Sequence, residues 1–440
     1  MLAVLILWEY GVAYDHSAAV RCCDAHRRTI SIRVSDSRYG IMRITIVLGP
    51  FLPVPPVIGG AVEKVHLLLA EAYAAAGHQV TIVSRAYKNF AREEVVNGVR
   101  HIRVPAVDRT ASLIRNLARD VQYALRVARW LPHSDITVTN SFSLPLLLPR
   151  SRAGKIYIHV ARFPKHQMAL YFRADRLQAI SKAVEDAIVR QAPHLAGRIT
   201  SIGYPVPDTY FLHEAMPAKH KRILFVGRIA REKGVHLLLN AFAAATTRDT
   251  SGMLAQWRLR IVGPHEVAQG GDGPGYLQEL MRIARPLGAA CEFTGPIFDE
   301  SALVSEYKAA SVFTYPSLAE KGEAFGLAAL EAMAARCAVV VSKLQCFAEF
   351  VEDGVTGLTF DHRAPDAQQQ LSSHLFRLMT NAQLVPALAR QGYCTACRFA
   401  TPAISARMLD DFSSLLGLPH AGRARQSETA GNQTEQTIRR

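Results

Sequence analysis

The alternation of short apolar segments with amphipathic helical segments is the feature that most constrains the fold of this chain. In the first half, "RITIVLG" (43–49) and "QVTIVSR" (79–85) are typical of buried strands, and "GGAVEKVHLLLAEAYAAAGH" (59–78) between them is typical of an amphipathic helix that starts at glycine. The alternation continues through the segments 98–105, 113–131, 134–141, 155–161, 176–192 and 198–206. This pattern predicts a parallel sheet that is covered by helices on both faces.

The same pattern starts again at "KRILFVGRI" (221–229), after a segment rich in proline and polar residues at 203–220. Further strand segments follow at 257–264, 291–297, 311–317 and 337–343. We therefore predict an α/β protein with two doubly wound domains, residues 42–205 and 206–400, and a ligand cleft between the carboxyl ends of their sheets. We expect a last helix, 401–417, to pack back toward the first domain.

The two ends of the chain differ from the predicted domains. Residues 1–41 contain one short apolar run without a positive segment before it, and then no sustained period. We predict an unstructured extension, with the first domain starting at Met42; a cleaved signal peptide is the alternative. A chain starting at Met42 should then melt like the full chain. Residues 418–440 are polar and low in apolar content, which predicts a disordered tail.

The length of 440 residues allows two or three domains with large cores. No apolar stretch reaches the length of about 18 residues that predicts a membrane span. The seven cysteines are odd in number and scattered, which favours a reducing, cytoplasmic compartment. Cys394 and Cys397 form a single C-x-x-C, and we expect neither a metal nor a redox role for them.

The net charge of +14 is concentrated in the first predicted domain. Residues 42–205 hold 22 Lys and Arg against 10 Asp and Glu, whereas residues 206–419 hold 20 against 21. No DNA- or RNA-binding motif accompanies these basic residues, so nucleic acid is not an expected partner. We expect the first domain to meet an anionic acceptor or the anionic inner face of the cytoplasmic membrane. A generally basic soluble protein acting on a small acceptor is the alternative.

Two glutamates, Glu323 and Glu331, lie eight positions apart in the segment "EAFGLAALE". Residues 311–322 change from apolar to Pro, Ser and Gly, which predicts a strand and then a loop that contains Glu323. Residues 327–336 are strong helix formers and would contain Glu331. The two carboxylates could bind different parts of one long ligand, with helix N–H groups near Gly326 facing an anion between them. The alternative is a helix cap and a solvated surface residue.

Six segments of the second half resemble glycosyltransferase family 4 in their sequence and order. They are "VGRIAREKG" (226–234), "GPHEVAQGGDGPGYLQEL" (263–280), "FTGPI" (293–297), "YPS" (315–317), "EAFGLAALEAMAARCAVVVS" (323–342) and "EFVEDGVTGLTF" (349–360). The resemblance covers residues 42 to about 415 and implies the GT-B fold. It also implies retaining transfer of a sugar from a nucleotide-diphospho-sugar to a hydroxyl acceptor. From the basic charge of the first domain we expect this acceptor to be a cell-envelope glycan or a lipid-linked precursor.

The resemblance leaves the donor and two other functions open. UDP-sugars are our first expectation for the donor, and GDP-mannose is the second. The course of the reaction that the resemblance implies is attack on the same face of the sugar, with the departing phosphate taking the acceptor's proton. A GT-B epimerase or phosphorylase, and a non-catalytic nucleotide-sugar-binding protein, are the alternatives.

The resemblance implies donor-binding roles in the second domain. Glu331 would contact the ribose, and Glu323 would contact hydroxyls of the donor sugar. The backbone N–H groups of Phe325, Gly326 and Leu327 would bind the diphosphate at a helix N-terminus.

Two cations and one strand end complete the expected donor site. Arg228 and Lys233 are expected to neutralise the diphosphate leaving group, with a solvated turn as the alternative. Backbone groups near Gly295 and Pro296 would contact the base. No D-x-D motif occurs, so we expect neither a metal nor another cofactor in diphosphate binding.

The candidate residues of the first domain each have an ordinary structural alternative. Gly59 and Gly60 resemble the family's glycine loop and would let the backbone approach the donor phosphates, or they simply start a helix. His159 ends a strand where the family often has a histidine near the reacting sugar. Because the residues after it depart from the family pattern, a buried structural histidine is the alternative. Arg162 and Lys165 could hold an anionic acceptor or lie in a solvated loop.

Overall fold

The first half of the chain forms an eight-stranded sheet in the computed structural model, which describes residues 40–212 and 219–418. Its strands are β1 (Arg43–Val47), β2 (Gln79–Arg85), β3 (Glu93–Val96), β4 (Val99–Val104), β5 (Ile136–Thr139), β6 (Lys155–Val160), β7 (Arg176–Ala179) and β8 (Ile199–Ser201). Its helices are α1 (Ala61–Ala75), α2 (Leu113–Trp130), α3 (Leu144–Leu147), α4 (Arg150–Ala153) and α5 (Lys182–Gln191). The strand order is β3-β4-β2-β1-β5-β6-β7-β8.

The second half forms a six-stranded sheet in the order β11-β10-β9-β12-β13-β14. Its strands are β9 (His220–Val226), β10 (Arg258–Val262), β11 (Cys291–Gly295), β12 (Ala310–Tyr315), β13 (Ala338–Ser342) and β14 (Leu358–Phe360). Its helices are α6 (Val235–Thr247), α7 (Gly273–Ala284), α8 (Glu300–Ala309), α9 (Leu327–Ala334), α10 (Ala367–Thr380) and α11 (Leu384–Cys397), followed by α12 (Thr401–Leu416). Short 3-10 helices cover Met168–Tyr171, Pro193–Arg198, Asp208–Tyr210, Arg231–Lys233, Met253–Gln256, Val267–Gln269, Arg285–Ala290 and Gln345–Glu349.

Both sheets reverse their winding beside their first strand. β1 pairs in parallel with β2 on one side and β5 on the other, and β9 pairs in the same way with β10 and β12. The central strands are buried because helices cover both faces, which explains why they are continuous apolar runs in the sequence. The predicted pair of doubly wound α/β domains is therefore confirmed, and ligands are expected beyond the carboxyl ends of the strands at these reversal points.

The prediction of a purely parallel first sheet is wrong at one edge. β3 pairs antiparallel with β4, the strand predicted over 98–105. The two strands are joined by Asn97 and Gly98, whose φ angles are 51° and 78°. A two-residue Asn-Gly turn with positive φ at both positions suits the twist of a hairpin, so this signal in "EEVVNGVR" could have revealed β3.

The chain returns to the first sheet through α12. Val206, after β8, accepts a hydrogen bond at its carbonyl from Thr401 Oγ1 (3.1 Å). Asp411 accepts a hydrogen bond from the Tyr157 hydroxyl (2.8 Å) and lies 2.9 Å from a guanidinium nitrogen of Arg176. Phe412 packs edge-on against the ring of Tyr157. These contacts fasten the last helix to the first domain.

Among the described residues, no helix is both long enough and apolar enough to cross a bilayer. The predictions for residues 1–41 and 418–440 concern segments that, apart from positions 40, 41 and 418, lie outside the described residues.

Candidate active site

Residues that follow the carboxyl ends of strands in the two sheets contact each other across the domain boundary. Ser181, after β7, donates a hydrogen bond from Oγ to the carbonyl of Ala324, after β12 (2.6 Å). Gln345, after β13, donates from Nε2 to Asp186 Oδ2 in α5 (2.8 Å). A cavity of about 980 Å³ lies beside these contacts. It is lined by Phe163, Pro164, Lys165, His166, Ala183, Ala187, Arg190, Gln191, Glu320, Lys321, Glu323, Leu344, Gln345, Cys346 and Arg363.

Lys233 and Glu323 form a buried ion pair at this cleft. The Nζ atom of Lys233 lies 2.7 Å from Glu323 Oε2, and Lys233 is only 5% exposed. Lys233 ends the 3-10 turn after β9, and Glu323 lies in the loop before α9, so two loops 90 residues apart in sequence supply the pair. Nζ also lies 5.6 Å from the centre of the Tyr315 ring. Burial, and then the neighbouring Glu323 carboxylate, raise the pKa of Tyr315 well above its ordinary value.

Arg228 lies on the same turn and shares a carboxylate with Lys233. Its Nη2 atom is 2.8 Å from Glu232 Oε1, and the same oxygen is 3.9 Å from Lys233 Nζ. Its Nη1 atom donates to the carbonyl of Gly270 (2.6 Å). The two predicted cations therefore lie around one carboxylate oxygen, which keeps both side chains at the same edge of the second sheet.

Helix α9 begins without a side-chain cap. Gly326 is its N-cap residue, with φ 80° and ψ 42°, so no side chain accepts hydrogen bonds from the first N–H groups of the helix. A Cβ atom at this position would lie 2.2 Å from the Phe347 ring, and the positive φ is itself unfavourable for other residues. Glycine is thus required here by both space and backbone conformation. The free N–H groups of an uncapped helix start suit an anion.

Glu331 is buried inside α9. The Tyr307 hydroxyl donates a hydrogen bond to its Oε2 atom (3.2 Å). Burial raises the pKa of Glu331 to about 7, although the positive charge of Lys64 from the first domain acts in the opposite direction. Lys64 itself forms an ion pair with Glu300 of the second domain (2.8 Å). Glu331 therefore lies near the boundary between the domains, where a ligand could contact both.

The predicted glycine loop precedes α1, and a glutamate folds back over it. Gly59 and Gly60 have φ angles of 86° and 123°, and Gly60 is the N-cap residue of α1. A Cβ at Gly60 would lie 2.3 Å from Glu63 Oε2. Burial raises the pKa of Glu63, while its own backbone N–H and the charge of Arg162 lower it. The positive φ angle favours glycine at position 60, and the buried carboxylate lies over the backbone at the helix start.

His159 is buried, and both of its ring nitrogens have partners. Nδ1 lies 2.8 Å from Gln178 Oε1, and Gln178 donates its own Nε2 hydrogen to the carbonyl of Ile202 (2.7 Å). His159 must therefore donate from Nδ1, which leaves Nε2 to accept from the Tyr204 hydroxyl (3.3 Å). Burial, followed by the nearby His66 ring, lowers the pKa of His159 to about 3, so the ring is neutral.

The remaining predicted residues lie at or directly after strand ends. Lys165 lines the 980 Å³ cavity, and Arg162 is exposed in the same loop after β6. Gly295 ends β11 and accepts a hydrogen bond at its carbonyl from the Gly263 N–H (3.0 Å), with Pro296 directly after it. The predicted residues of the second domain thus lie at strand ends of the second sheet, in loops after them or, like Glu331, in the helix that follows such a loop.

Sequence reasoning missed Glu63, Glu232 and Tyr204 as parts of this region. Glu63 lies three residues after Gly60, and Glu232 lies directly before Lys233. A carboxylate next to a predicted glycine loop or cation could have been predicted as part of the site. Tyr204 carries no such signal, because its contact with His159 joins residues 45 positions apart. Within residues 40–212 and 219–418, no group of three or more His, Cys, Asp or Glu side chains is arranged to hold a metal ion.

Two family models match the chain in the order of its domains. The model described as "Glycosyl transferase 4-like domain" matches residues 60–205, and the model described as "Glycosyl transferases group 1" matches residues 209–393. The chain belongs to glycosyltransferase family 4. It is therefore a glycosyltransferase, as the order of its motifs predicted.

Relatives and solved structures agree with this family. The chain is 26% identical over 395 residues to a phosphatidyl-myo-inositol mannosyltransferase of Mycobacterium tuberculosis, covering 86% of this chain and 98% of that protein. Sucrose-phosphate synthase from Thermosynechococcus elongatus superposes with a TM-score of 0.67 at 22% identity, covering 85% and 99% of the two chains. Anabaena HepE in complex with UDP and glucose superposes with a TM-score of 0.61 at 17% identity, covering 84% and 100%. The structural likenesses confirm the predicted GT-B fold.

Proposed function

We propose that this glycosyltransferase moves a sugar from a nucleotide-diphospho-sugar to a hydroxyl group with retention of the anomeric configuration. The bond between the sugar C1 atom and the diphosphate oxygen breaks, and a bond forms between C1 and the acceptor oxygen on the same face. The acceptor's proton passes to the departing phosphate oxygen, which leaves as a nucleoside diphosphate. Proton and electron pairs balance without a further reactant.

The buried Lys233–Glu323 pair beside the uncapped start of α9 is the observation that supports this proposal. A diphosphate at the start of α9 would receive N–H groups from Gly326 and Leu327 and the positive charges of Lys233 and Arg228. Glu323 would be left facing the sugar that the diphosphate carries. Positive groups arranged in advance stabilise a leaving group as its charge develops.

The proposed donor is a UDP-sugar first and GDP-mannose second. The bound UDP and glucose of the HepE structure support the first, and the name of the mycobacterial relative, a mannosyltransferase, supports keeping the second. Glu331 would accept hydrogen bonds from the ribose, and the backbone near Gly295 and Pro296 would meet the base.

The proposal is tested by donor binding and by product analysis. A thermal-shift panel of UDP-, GDP- and ADP-sugars should give one clear stabilisation, since a ligand at 100 times its dissociation constant adds about 2.7 kcal/mol. The best donor is then incubated with a lipid and glycan extract, and the anomeric configuration of the product is read by NMR. An inverted product would refute retention, and release of sugar without transfer to any acceptor would refute the transfer itself.

We propose an anionic acceptor, a cell-envelope glycan or a lipid-linked precursor that carries phosphate or carboxylate groups. The cavity next to Glu323 is lined by the basic side chains of Lys165, Arg190, Lys321 and Arg363 against two glutamates. Lys165→Gln should raise the acceptor KM several-fold and leave the donor KM unchanged. Lys88→Gln, an exposed lysine of the same domain away from this cavity, is the matched control, and equal effects of both variants would contradict the proposal.

His159 is proposed as a positioning residue and not as a group that contacts the sugar. Both of its nitrogens are engaged, and its partner Tyr204 packs against Phe325, the residue before the N-cap of α9 (ring centres 5.5 Å apart). Through Tyr204, His159 would hold the start of α9 in place from the first domain.

We further propose that the basic first domain contacts an anionic membrane surface while it acts on this acceptor. Its excess of 12 positive charges has no counterpart in the donor-binding domain, although that domain binds the diphosphate. Anionic lipid attracts Lys and Arg side chains that approach it.

A further inference from the structure

Helix α2 buries one side and exposes large apolar side chains beside it. Its buried residues are Asn116, Asp120, Tyr123, Ala124 and Val127. Asp120 is buried and accepts hydrogen bonds from the Ser143 N–H (2.8 Å) and from Ser141 Oγ (3.1 Å). Asn116 is also buried and accepts a hydrogen bond from the Thr110 N–H (2.8 Å). The fold therefore packs a side of this helix that contains two polar residues, and it leaves a second group of apolar side chains exposed in the described part of the chain.

The exposed apolar side chains form a continuous strip. Leu113 and Ile114 are 82% and 81% exposed, and Leu125 is 54% exposed. Leu117 and Val121 are also exposed and complete the strip. With about 100° between successive residues, the five positions lie within roughly one third of the helix circumference. A monomeric protein that is surrounded only by water rarely exposes such a contiguous strip.

Four arginines form a row along one border of this strip. Arg115, Arg119, Arg126 and Arg129 occupy the next roughly 80° of the circumference, counting about 100° per residue. Trp130, which is 69% exposed, ends the helix beside them. Asp120 is the only acidic residue in the helix, and it is buried, so no negative charge of α2 faces outward. We call the apolar strip and the arginine row together the outer face of α2.

The outer face of α2 has the chemistry of an anionic bilayer surface contact. Leucine, isoleucine and tryptophan side chains enter the boundary between headgroups and acyl chains, and guanidinium groups pair with lipid phosphates. A second copy of this chain fits less well, because a symmetric interface between two outer faces would bring the two arginine rows together.

The position of α2 relates this surface to the cleft. Helices between parallel strands run opposite to the strands, and Asp120 in the middle of α2 contacts the loop directly after β5. The first two turns of α2, with Leu113 and Ile114, therefore lie at the carboxyl edge of the first sheet. That is the edge at which the cleft lies, so a bilayer touching α2 would be near the acceptor side of the site.

We propose that the outer face of α2 is the membrane-docking surface of this glycosyltransferase and binds anionic lipid. This inference rests on the membrane contact proposed above and assigns it to one helix. It accounts for the exposed apolar strip of the helix and for part of the charge excess of the first domain.

The test is co-sedimentation of the full chain with phosphatidylcholine vesicles, with and without phosphatidylglycerol, at low and high salt. The wild type should bind only the anionic vesicles, and more weakly at high salt. Arg115→Ala with Arg129→Ala should lower binding about 25-fold at low salt, because each basic side chain near the surface contributes about 1 kcal/mol, or fivefold. Leu117→Ser with Leu125→Ser should lower it by roughly tenfold per leucine, since a buried leucine contributes at least about 1.5 kcal/mol.

A matched control comes from the second domain. Met281→Ser with Arg285→Ala removes one exposed apolar and one exposed basic side chain far from α2 and should leave binding unchanged. All variants should keep the wild-type melting temperature and the wild-type release of nucleoside diphosphate with a soluble acceptor. That second readout separates a failure of membrane docking from a failure of the proposed transfer reaction.

Four outcomes would overturn the inference. Wild-type protein that ignores anionic vesicles would remove membrane docking but leave the transfer reaction intact. Binding by the α2 variants at the wild-type level would move docking elsewhere. A wild-type dimer that becomes monomeric in the leucine variant would show a contact between copies. A fall of several degrees in the melting temperature of the leucine variant would show that another segment of the chain covers the strip.

Discussion

Replacing Lys233 by alanine separates the electrostatic and structural contributions of the buried pair. Lys233 lies 2.7 Å from Glu323, and both side chains are largely withdrawn from water. Removing one partner of a buried pair costs about 3–5 kcal/mol, because the other charge stays buried without compensation. At about 2–4 °C per kcal/mol for a domain of this size, Lys233→Ala should lower the melting temperature by roughly 6–20 °C. Turnover should fall by about two to three orders of magnitude if Lys233 stabilises the leaving diphosphate. We expect the same range of turnover loss for Glu323→Ala.

The double variant Lys233→Met with Glu323→Gln distinguishes the two contributions. Replacing a buried pair by neutral groups of similar volume is often close to neutral for stability. The double variant should therefore recover most of the lost melting temperature, while its turnover should stay as low as that of either single variant. Calorimetry measures the melting temperature, and initial rates of nucleoside diphosphate release at saturating donor measure turnover.

Recovery of turnover together with stability would refute the assignment, because the pair would then serve the fold alone. Single variants with near-wild-type rates would also remove Lys233 and Glu323 from the site. Arg100→Ala, which breaks the exposed Arg100–Glu93 pair on the far edge of the first sheet, is the control. It should change neither the melting temperature nor turnover, since exposed pairs contribute little.

The remaining predictions concern Glu331, Gly326 and His159 and can be tested on similar preparations. Burial raises the pKa of Glu331 to about 7, so the carboxylate that would accept the ribose hydrogens is lost as the pH falls below about 7. The donor KM should therefore rise below that pH, and Glu331→Gln should flatten this pH profile. The free energy of unfolding of the protein without donor should instead be higher at low pH. The raised pKa of Glu331 contributes stability that is fully present below about pH 4.5 and is lost as the pH rises through about 7. Gly326→Ala should lower the free energy of unfolding by more than the roughly 1–3 kcal/mol of a strained backbone, because its Cβ meets the Phe347 ring. Gly354→Ala, with φ 74° and open space around its Cβ, should show the backbone cost alone. Denaturant unfolding measures both. His159→Gln should lower the melting temperature by several degrees and turnover by less than about tenfold; a hundredfold loss of turnover at an unchanged melting temperature would show direct contact with substrate.

The central strands of both sheets could be predicted because buried parallel strands are continuous apolar runs separated by helices, whereas the edge strands β3 and β14 were not predicted. Pairings between residues that are far apart in sequence could not be predicted from local pattern. Lys233 and Glu323 were each expected near the donor, but their 2.7 Å contact depends on how two loops fold over Tyr315. In the same way, the tautomer of His159 follows from its contacts with Gln178 and Tyr204, which are 19 and 45 residues away.

Helix α2 shows why a correct helix prediction can leave the facing of a helix undetermined. The usual rule places the apolar side of an amphipathic helix against the core. In α2 three inward residues follow this rule: Tyr123, Ala124 and Val127. Asp120 is inward as well, because the loop after β5 needs an acceptor for the Ser143 N–H and the Ser141 hydroxyl. A buried backbone N–H without a partner costs about 1–3 kcal/mol, so a carboxylate that satisfies it can hold this orientation. The apolar strip beside this buried side then stays exposed, and we propose an anionic bilayer as the surface that covers it.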